Sequence, residues 1–338
     1  MSIFLDFDGT ITTKDTVTEL ANFALRFQAE RNATSSPGTS GRSQDATAAP
    51  PEAAAVQERE GQEEDLSSRW DGVVRAYMSD HEAHASSYAP GAADRRRVED
   101  EVAFLRSQKH VEMRSLGRVN ACGLFRGIGP AAFRAAGRAL VQRGGGSGGA
   151  VRLRPGFAGL VRAARARGWR VHVVSVNWSA AFIEGACGLS EEDDDEEGEG
   201  IHVIANEVRE HDGAVVGPGA LAGDGRLLAG GADGGSRGYA GRNLTNSCDK
   251  RDAVREVLRR RGAGEGGPVV YFGDSTTDME CLLEATRGVV VADDESSALI
   301  ETLRRLGKRV PHVRDAEAGE ELVWASNFDE VMRFTFDP

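Results

Sequence analysis

Residues 2–12 read SIFLDFDGTIT, and this stretch predicts the fold class of the whole chain. Apolar residues lead directly into two carboxylates, Asp6 and Asp8, and Gly9 then breaks the pattern. Such a pattern predicts a short buried strand that ends in a turn. In an open α/β sheet the ligand crevice lies at the carboxyl ends of the strands, so we expect both acids at this edge. For this motif alone, an Asp-Gly turn that closes an ordinary strand remains the alternative.

Three later segments also end or begin in polar residues. Residues 168–177 form a β-branched run that ends in Ser175, and Lys250 opens a helical pattern at residues 248–254. Residues 269–278, VVYFGDSTTD, are another apolar run that ends in acids, Asp274 and Asp278. Around these segments, predicted strands (one of them at 201–208) alternate with predicted helices. This alternation indicates a parallel sheet with helices on both faces.

In this order, the four segments resemble the four motifs of the haloacid dehalogenase-like (HAD) phosphohydrolases, and the opening is most similar to the phosphoserine phosphatase-like branch. The resemblance implies a Rossmann-like α/β core and an inserted helical domain, the C1 cap, which closes over the substrate and selects it. We predict the core at residues 1–14 and 150–338 and the cap at 15–149.

The segment between the first two catalytic motifs fits an inserted cap. Residues 66–143 show amphipathic helical patterns and no strand-like runs. Residues 31–65 are rich in Ser, Pro, Ala, Gly, Glu and Gln, a composition that buries too little apolar surface to offset chain entropy. We therefore predict a disordered insertion at about 31–65.

Composition restricts the partners and the compartment. The 338 residues carry a net charge of −12, which argues against nucleic acid or an anionic membrane as the main partner. No apolar run approaches the roughly 18 residues of a membrane helix, and the first strand begins too early to leave room for a cleavable presequence. Four scattered cysteines suit free thiols in a reducing compartment. We expect a cytoplasmic protein whose oligomeric state the sequence leaves open.

The two acids of the first motif suit the two parts of phosphate ester hydrolysis. Asp6 is the predicted nucleophile, which attacks phosphorus and forms an aspartyl phosphate while the alcohol leaves. Asp8 projects to the same side of the strand because the side-chain period is two. It is predicted to protonate the leaving oxygen and then to accept a proton from the attacking water.

Hard oxygen ligands for Mg²⁺ are implied by the resemblance. They are the Asp6 carboxylate, the main-chain carbonyl of Asp8, and Asp274, with Asp278 as a further ligand or as an anchor for the ligands. For Asp274 alone, a helix N-cap is the alternative role.

Phosphate contacts are also implied by the resemblance. Ser175 would donate to a phosphoryl oxygen, and Lys250 would steady both Asp6 and the phosphate. Thr10 would add a further donor. A serine at a strand end that serves as a cap, and a solvated lysine in a first helical turn, are the alternatives.

Three residues are predicted to contact the rest of the substrate. Asp15 and Arg118 occupy the places where phosphoserine phosphatases bind the substrate amine and carboxylate. Asp15 could instead cap its helix, and Arg118 could be an exposed charge. Asn177 stands where those enzymes have a glycine-rich sequence, which favours a different substrate.

These residues predict a Mg²⁺-dependent phosphomonoesterase that acts on a small phosphorylated metabolite. A phosphotransferase or a phosphonatase on the same scaffold is an alternative, and a phosphonatase would need a Schiff-base lysine from the cap, where Lys109 is the candidate. A non-catalytic HAD-like binding protein is the other alternative, with the acidic run 191–199 and the segment 31–65 as partner sites.

Overall fold

The structure, a computed structural model, describes residues 1–35, 65–143, 151–189, 200–222, 242–260 and 267–333. Most of the insertion predicted at 31–65 and the acidic run 191–199 lie outside the described residues. No helix in the described part is long and apolar enough to cross a membrane.

A six-stranded parallel sheet forms the centre of the molecule. Its strands are β1 (Ser2–Leu5), β2 (Arg170–Val174), β3 (Ile201–Ile204), β6 (Val269–Gly273), β7 (Arg287–Val291) and β8 (Leu322–Ala325), in the order β3-β2-β1-β6-β7-β8. Two further short strands, β4 (Glu207–Val208) and β5 (Val215–Val216), pair antiparallel in a hairpin. The sheet confirms the predicted α/β fold class.

The register of the central strands brings the predicted catalytic motifs to one edge. Leu5, the last residue of β1, pairs with Val173 of β2 and with Phe272 of β6. Because all three strands are parallel, the residues that follow them emerge at the same carboxyl edge. Asp6, Ser175 and Asp274 are thereby placed at neighbouring strand ends.

β1 is buried on both faces, which explains why its sequence is continuously apolar. Ile3 and Leu5 belong to one hydrophobic cluster and Phe4 to the other, and all three are fully buried. The Ile3 side is covered by α6 (Phe157–Ala166), α7 (Ala180–Ala186) and α11 (Phe328–Val331). The Phe4 side is covered by α8 (Ser247–Arg260), α9 (Met279–Glu284) and α10 (Ala298–Arg305). Helices on both faces were predicted, and this is confirmed.

Between β1 and β2 the described chain contains helices and no strand. They are α1 (Val17–Ser35), α2 (Leu66–Ser87), α3 (Val98–Ser107), α4 (Lys109–Cys122) and α5 (Pro130–Arg143). The arrangement fits an inserted helical segment, and its role as a cap stays a prediction.

Two predicted boundaries need correction. The start of the insertion at residue 31 is too early, because α1 continues to Ser35. Tertiary contacts hold this end: Gln28 Nε2 donates to the Leu124 and Arg126 carbonyls at 3.0 and 2.7 Å, and Arg31 Nη1 donates to the latter at 2.9 Å. The single strand predicted over 201–208 is divided into β3 and β4, because Asn206 between them bonds main-chain groups outside the sheet, including both N–H and C=O of Leu244.

Candidate active site

Asp6 follows β1 directly and is almost fully buried. Its N–H donates to the Phe272 carbonyl at 2.9 Å and so extends the pairing of β1 with β6 by one residue. Its Oδ1 accepts from the Phe7 N–H at 2.7 Å and pairs with Lys250 Nζ at 2.8 Å. Among the described residues no donor contacts Oδ2, so this oxygen is the one free to react.

Lys250 reaches Asp6 from the first turns of α8 and is fully buried. Its Nζ also lies 2.8 Å from Asp278 Oδ1, which accepts in addition from the Tyr271 hydroxyl at 2.7 Å. The second oxygen of Asp278 accepts from the Ser275 N–H at 3.2 Å. Asp278 thus has donors on both oxygens, which fits the predicted anchoring role better than that of a direct ligand.

Asp274 follows β6 and lies against the turn after Asp6. Thr10 Oγ1 donates to Asp274 Oδ1 at 2.8 Å. Gly9 has a φ of +76°, and a Cβ at this position would lie 2.2 Å from Asp274 Oδ2. Glycine is therefore required here both for its left-handed backbone and for the close approach of the carboxylate. Thr10 contacts a predicted metal ligand, and its contact with phosphate stays a prediction.

Asp8 is held by residues from two other parts of the chain. Its Oδ1 accepts from the N–H and the hydroxyl of Thr16 at 2.7 and 2.6 Å. Its Oδ2 accepts from Asn177 Nδ2 at 2.9 Å. Both partner residues are fully buried. Three donors therefore fix the orientation of this carboxylate.

Burial and mutual repulsion shift the protonation of these acids. Burial, with the added charge of Asp278, raises the pKa of Asp6 well above its usual range, against the opposing effect of Lys250. The same two causes raise the pKa of Asp274 to about 7. Burial lowers the pKa of Lys250, but the Asp278 and Asp6 carboxylates outweigh it and the net shift is upward. Lys250 is thus held as a cation.

Asp8 has a different environment. Burial and then the charge of Asp15 raise the pKa of Asp8 to about 6, while the hydrogen bonds from Thr16 and Asn177 oppose the shift. A carboxyl with this pKa exchanges a proton near neutral pH, which is the requirement for a general acid and base.

The donor set fits a hard divalent cation. One carboxylate oxygen each from Asp6, Asp274 and Asp278 lies within 4.8 Å of the others. Lys250 is the only cation in direct contact with them among the described residues, so the cluster carries excess negative charge in a buried place. Oxygen ligands and excess negative charge are what Mg²⁺ prefers. The residues that would hold it are Asp6, Asp274 and the main-chain carbonyl of Asp8.

Ser175 lies at the same edge, one residue beyond β2, and is fully buried. Its N–H donates to the Ile204 carbonyl at 3.0 Å, and its Oγ accepts from the Asn177 N–H at 3.1 Å. The hydroxyl proton is therefore available for another acceptor. Its contact with a phosphoryl oxygen stays a prediction.

Asp15 and Arg118, the two predicted substrate contacts between β1 and β2, each make a hydrogen bond within the protein. Asp15 Oδ1 accepts from the Val17 N–H at 2.7 Å, which is the helix-capping role given above as its alternative. Arg118 Nη2 donates to Asp80 at 2.7 Å. Asp80 lies on α2 and Arg118 on α4, so the ion pair joins two helices of the inserted segment. Both substrate contacts stay predictions.

Arg154 is a residue of the site that the sequence analysis missed. It is buried, and its guanidinium donates to the carbonyls of Gly9 at 2.8 Å and Thr10 at 3.2 Å. It also bonds Asp293 and the Ser326 carbonyl, both at 2.9 Å. Arg154 thus supports the turn that carries Asp6 and Asp8. A lone arginine before Pro155 gives no local signal for this role, since the partners of its side chain lie 139 to 172 residues away in the sequence.

No family model matches the chain, and no curated protein matches it. Among solved structures, it is similar to a protein with unknown function from Bordetella pertussis Tohama I, with 16% identity, a TM-score of 0.46, and coverage of 90% of this chain and 95% of that one. A phosphoserine phosphohydrolase-like protein from Francisella tularensis is 12% identical, with a TM-score of 0.43 and coverage of 99% of both chains. A HAD family hydrolase from Salmonella enterica serovar Typhi is 11% identical, with a TM-score of 0.44 and coverage of 99% and 71%. Function is therefore inferred from the site's own residues.

Proposed function

We propose that this chain is a Mg²⁺-dependent phosphomonoesterase that hydrolyses a small soluble phosphate ester through an aspartyl phosphate on Asp6. One observation carries the proposal: the Asp6 carboxylate is held through Oδ1 by buried Lys250 next to Asp274, with Oδ2 free of described donors. A structural carboxylate has no need of a free oxygen beside further acids. A nucleophile does.

The reaction has two halves. Asp6 Oδ2 attacks phosphorus, the bond from phosphorus to the ester oxygen breaks, and Asp8 gives its proton to the departing alcohol. Water then attacks phosphorus as Asp8 accepts a proton from it, the bond from phosphorus to Asp6 Oδ2 breaks, and inorganic phosphate leaves with the Asp6 carboxylate regenerated. Lys250 holds Asp6 in place in both halves.

Mg²⁺, when bound, would neutralise the charge of the carboxylates and of the transferring phosphoryl group. Lys250 supplies a fixed positive charge 2.8 Å from Asp6 Oδ1. Thr10, Gly9 and Arg154 keep Asp274 and the Asp6 turn in contact with each other. The residues of the chain thus provide orientation, a nucleophile and a proton carrier.

The contacts of Lys109 support this function over a phosphonatase. Lys109 Nζ lies 2.5 Å from Asp249, 3.0 Å from Thr245 Oγ1 and 3.1 Å from the Asn243 carbonyl. A Schiff-base lysine must present a neutral amine to the substrate. An ammonium group in an ion pair with two further acceptors does not.

The test is phosphate release from p-nitrophenyl phosphate with and without Mg²⁺. We expect turnover that requires the ion and that falls by at least about 10³-fold in Asp6→Asn, because the amide is not a nucleophile. Trapping of radiolabelled phosphate on the wild-type chain in acid, and its loss in Asp6→Asn, would identify the intermediate.

Asp71→Asn is the matched control, since it makes the same chemical change at an exposed position on α2. It should keep full activity. Because Asn has the volume of Asp, Asp6→Asn should fold normally by circular dichroism. Wild-type protein that binds phosphate esters without hydrolysing any of them would favour the non-catalytic alternative.

A further inference from the structure

We propose that Asn177, together with Thr16, is a positioning residue for Asp8, and that it fixes the carboxylate that donates the proton to the leaving alcohol. This inference rests on the proposed function, because it assigns a role within that reaction. The sequence predicts that Asn177 contacts the substrate, and that contact stays a prediction. The geometry points to the acid instead.

The first observation is that the protein bonds both N–H groups and the oxygen of the Asn177 carboxamide. Nδ2 donates to Asp8 Oδ2 at 2.9 Å and to Thr16 Oγ1 at 3.2 Å, and Oδ1 accepts from the Ser179 N–H at 3.2 Å. The residue is fully buried. A buried amide with these partners has little remaining capacity for a substrate, since only the second lone pair of its oxygen is unassigned.

The second observation is that the two donors meet on one carboxylate from different segments. Thr16 lies just before α1, where the inserted helical segment begins, and its hydroxyl donates to Asp8 Oδ1 at 2.6 Å. Asn177 lies just after β2 and reaches the other oxygen. The carboxylate plane is therefore defined at both ends, which a single hydrogen bond cannot do.

A third observation connects Asn177 to the sheet. Its N–H donates to Ser175 Oγ at 3.1 Å, and its carbonyl accepts from Asn206 Nδ2 at 3.1 Å. Asn206 also donates to the Leu244 carbonyl at 2.8 Å. The Asn177 backbone is thus fixed from two sides, so its side chain can hold Asp8 within the small tolerance that proton transfer requires.

The role predicts a dependence on the leaving group. In the step that forms the aspartyl phosphate, the proton moves from Asp8 to the ester oxygen as that bond breaks. A weakly basic leaving group departs without the proton, whereas a strongly basic one needs it. A displaced Asp8 should therefore slow esters of basic alcohols selectively.

The experiment measures kcat/KM for a series of aryl phosphates of similar shape, from p-nitrophenyl to phenyl to p-methoxyphenyl phosphate. In Asn177→Leu we expect the loss of kcat/KM for phenyl phosphate to exceed the loss for p-nitrophenyl phosphate by at least about 10-fold, within the usual range for a general acid. Because kcat/KM reports the steps up to alcohol release, the later hydrolysis of the intermediate does not enter.

Thr16→Val provides a second variant if Asn177→Leu fails to fold. It removes the hydroxyl that donates to Asp8 and accepts from Asn177, but it keeps the Thr16 N–H donor and the direct bond from Asn177 to Asp8. The rate should therefore depend on the leaving group more steeply than in the wild type and less steeply than in Asn177→Leu. Gln28→Leu is the matched control, because it too removes a buried carboxamide. Gln28 lies far along α1 from Asp8 and donates to the main-chain carbonyls of Leu124 and Arg126. The substitution should lower stability without changing the dependence.

An equal loss for every ester in Asn177→Leu, or no loss at all, would overturn the positioning role while leaving the phosphatase proposal intact. Failure of the proposed function looks different, because the wild-type protein would then release phosphate from none of the esters.

Discussion

At the scale of single residues, the geometry of the site depends on side chains that bond the turn after Asp6 as much as on the acids themselves. Arg154 bonds two carbonyls of this turn and ties them to Asp293 and Ser326. Hydrogen bonds from a charged group contribute about 1.5–3 kcal/mol each and are not additive. One arginine therefore contributes both to stability and to the geometry of Asp6.

We predict that Arg154→Met lowers the free energy of unfolding by about 3 kcal/mol, because it leaves buried carbonyls without donors. Phosphatase turnover should fall by at least about 10-fold in protein that remains folded, since the Asp6 turn loses its support. Urea unfolding and the rate with p-nitrophenyl phosphate measure the two effects. Arg162→Met, an exposed position on α6, is the control and should change neither. A loss of stability with full activity per folded molecule would contradict the supporting role.

The residues that the sequence revealed are those with a local pattern. Asp6 and Asp274 each follow an apolar run, and Lys250 begins a helical one, so strand ends and helix starts indicate their positions. Arg154 and the partners of Asn177 have no such pattern, because their contacts join residues more than 140 positions apart. Side-chain pairing across the fold is decided by packing, which no window of sequence contains.

At the scale of elements, strand positions followed from composition, while several boundaries did not. β1 and β6 were predicted because buried parallel strands are continuously apolar. β8 (Leu322–Ala325) was missed, since four residues beside charged neighbours give little periodicity. The end of α1 was misplaced because tertiary hydrogen bonds from Gln28 and Arg31 extend the helix into a polar sequence.

The contact between α5 and α7 permits a test of helix packing. A Cβ at Gly137 would lie 2.1 Å from the Phe182 carbonyl oxygen, and one at Gly185 would lie 2.0 Å from that of Arg134. We predict that Gly137→Ala and Gly185→Ala each destabilise the protein by about 1–3 kcal/mol, as overpacked sites do. Gly117→Ala on α4 is the control, because no atom lies within 4 Å of its Cβ position. It should stabilise by about 0.5–1 kcal/mol through helix propensity, and thermal melts should separate the three variants. Similar effects at all three positions would contradict the close contact.

Glu256 on α8 permits a test of pH dependence away from the site. Hydrogen bonds from Arg259, opposed by burial and supported by Arg260, lower the pKa of Glu256 to about 2. The pKa of Glu256 in the folded protein lies below its unfolded value near 4.5. The contribution of its ion pairs to the free energy of unfolding is therefore present above pH 4.5 and is lost as pH falls towards 2. We predict that Glu256→Gln is about 1 kcal/mol less stable than the wild type at pH 7, after allowance for the exposure of the arginines. This difference in the free energy of unfolding should close as pH falls below 4.5. Urea unfolding at pH 7, 4 and 3 measures it. A gap of constant size would show that the ion pairs contribute nothing.

At the scale of the whole molecule, ion pairs join the inserted helices to the elements that carry the site. Arg106 of α3 reaches Glu280 of α9 at 2.5 Å, and Lys109 of α4 reaches Asp249 of α8 at 2.5 Å. Both acids are almost fully buried, so solvent screens these pairs less than surface pairs. α8 itself carries Lys250, and α9 begins directly after Asp278. The position of the inserted segment is thus connected to the site through two helices.

Buried negative charge at the sheet edge should make the stability of the whole chain depend on Mg²⁺. Asp6, Asp274 and Asp278 are brought together by folding and are apart in the unfolded chain, so an ion that binds Asp6 and Asp274 beside Asp278 stabilises only the folded state. At 100 times its dissociation constant, such an ion adds about 2.7 kcal/mol to the free energy of unfolding. A denaturation midpoint that rises with Mg²⁺ concentration is therefore expected for the wild-type protein.

Asp274→Asn should separate two effects of this charge: the destabilisation that it causes without Mg²⁺ and the stabilisation that it provides by binding Mg²⁺. Without Mg²⁺ the variant should be as stable as the wild type or more so, because it removes a partly buried negative charge beside buried Asp278, and the amide oxygen still accepts from Thr10. With saturating Mg²⁺ the order should reverse, since the wild type gains about 2–3 kcal/mol and the variant less than about 0.5 kcal/mol. Denaturation in chelator and in Mg²⁺ measures both, with exposed Asp294→Asn as the control that follows the wild type. An equal Mg²⁺ effect in wild type and Asp274→Asn would place the ion elsewhere, because an ion that does not contact the Asp274 carboxylate stabilises both proteins equally.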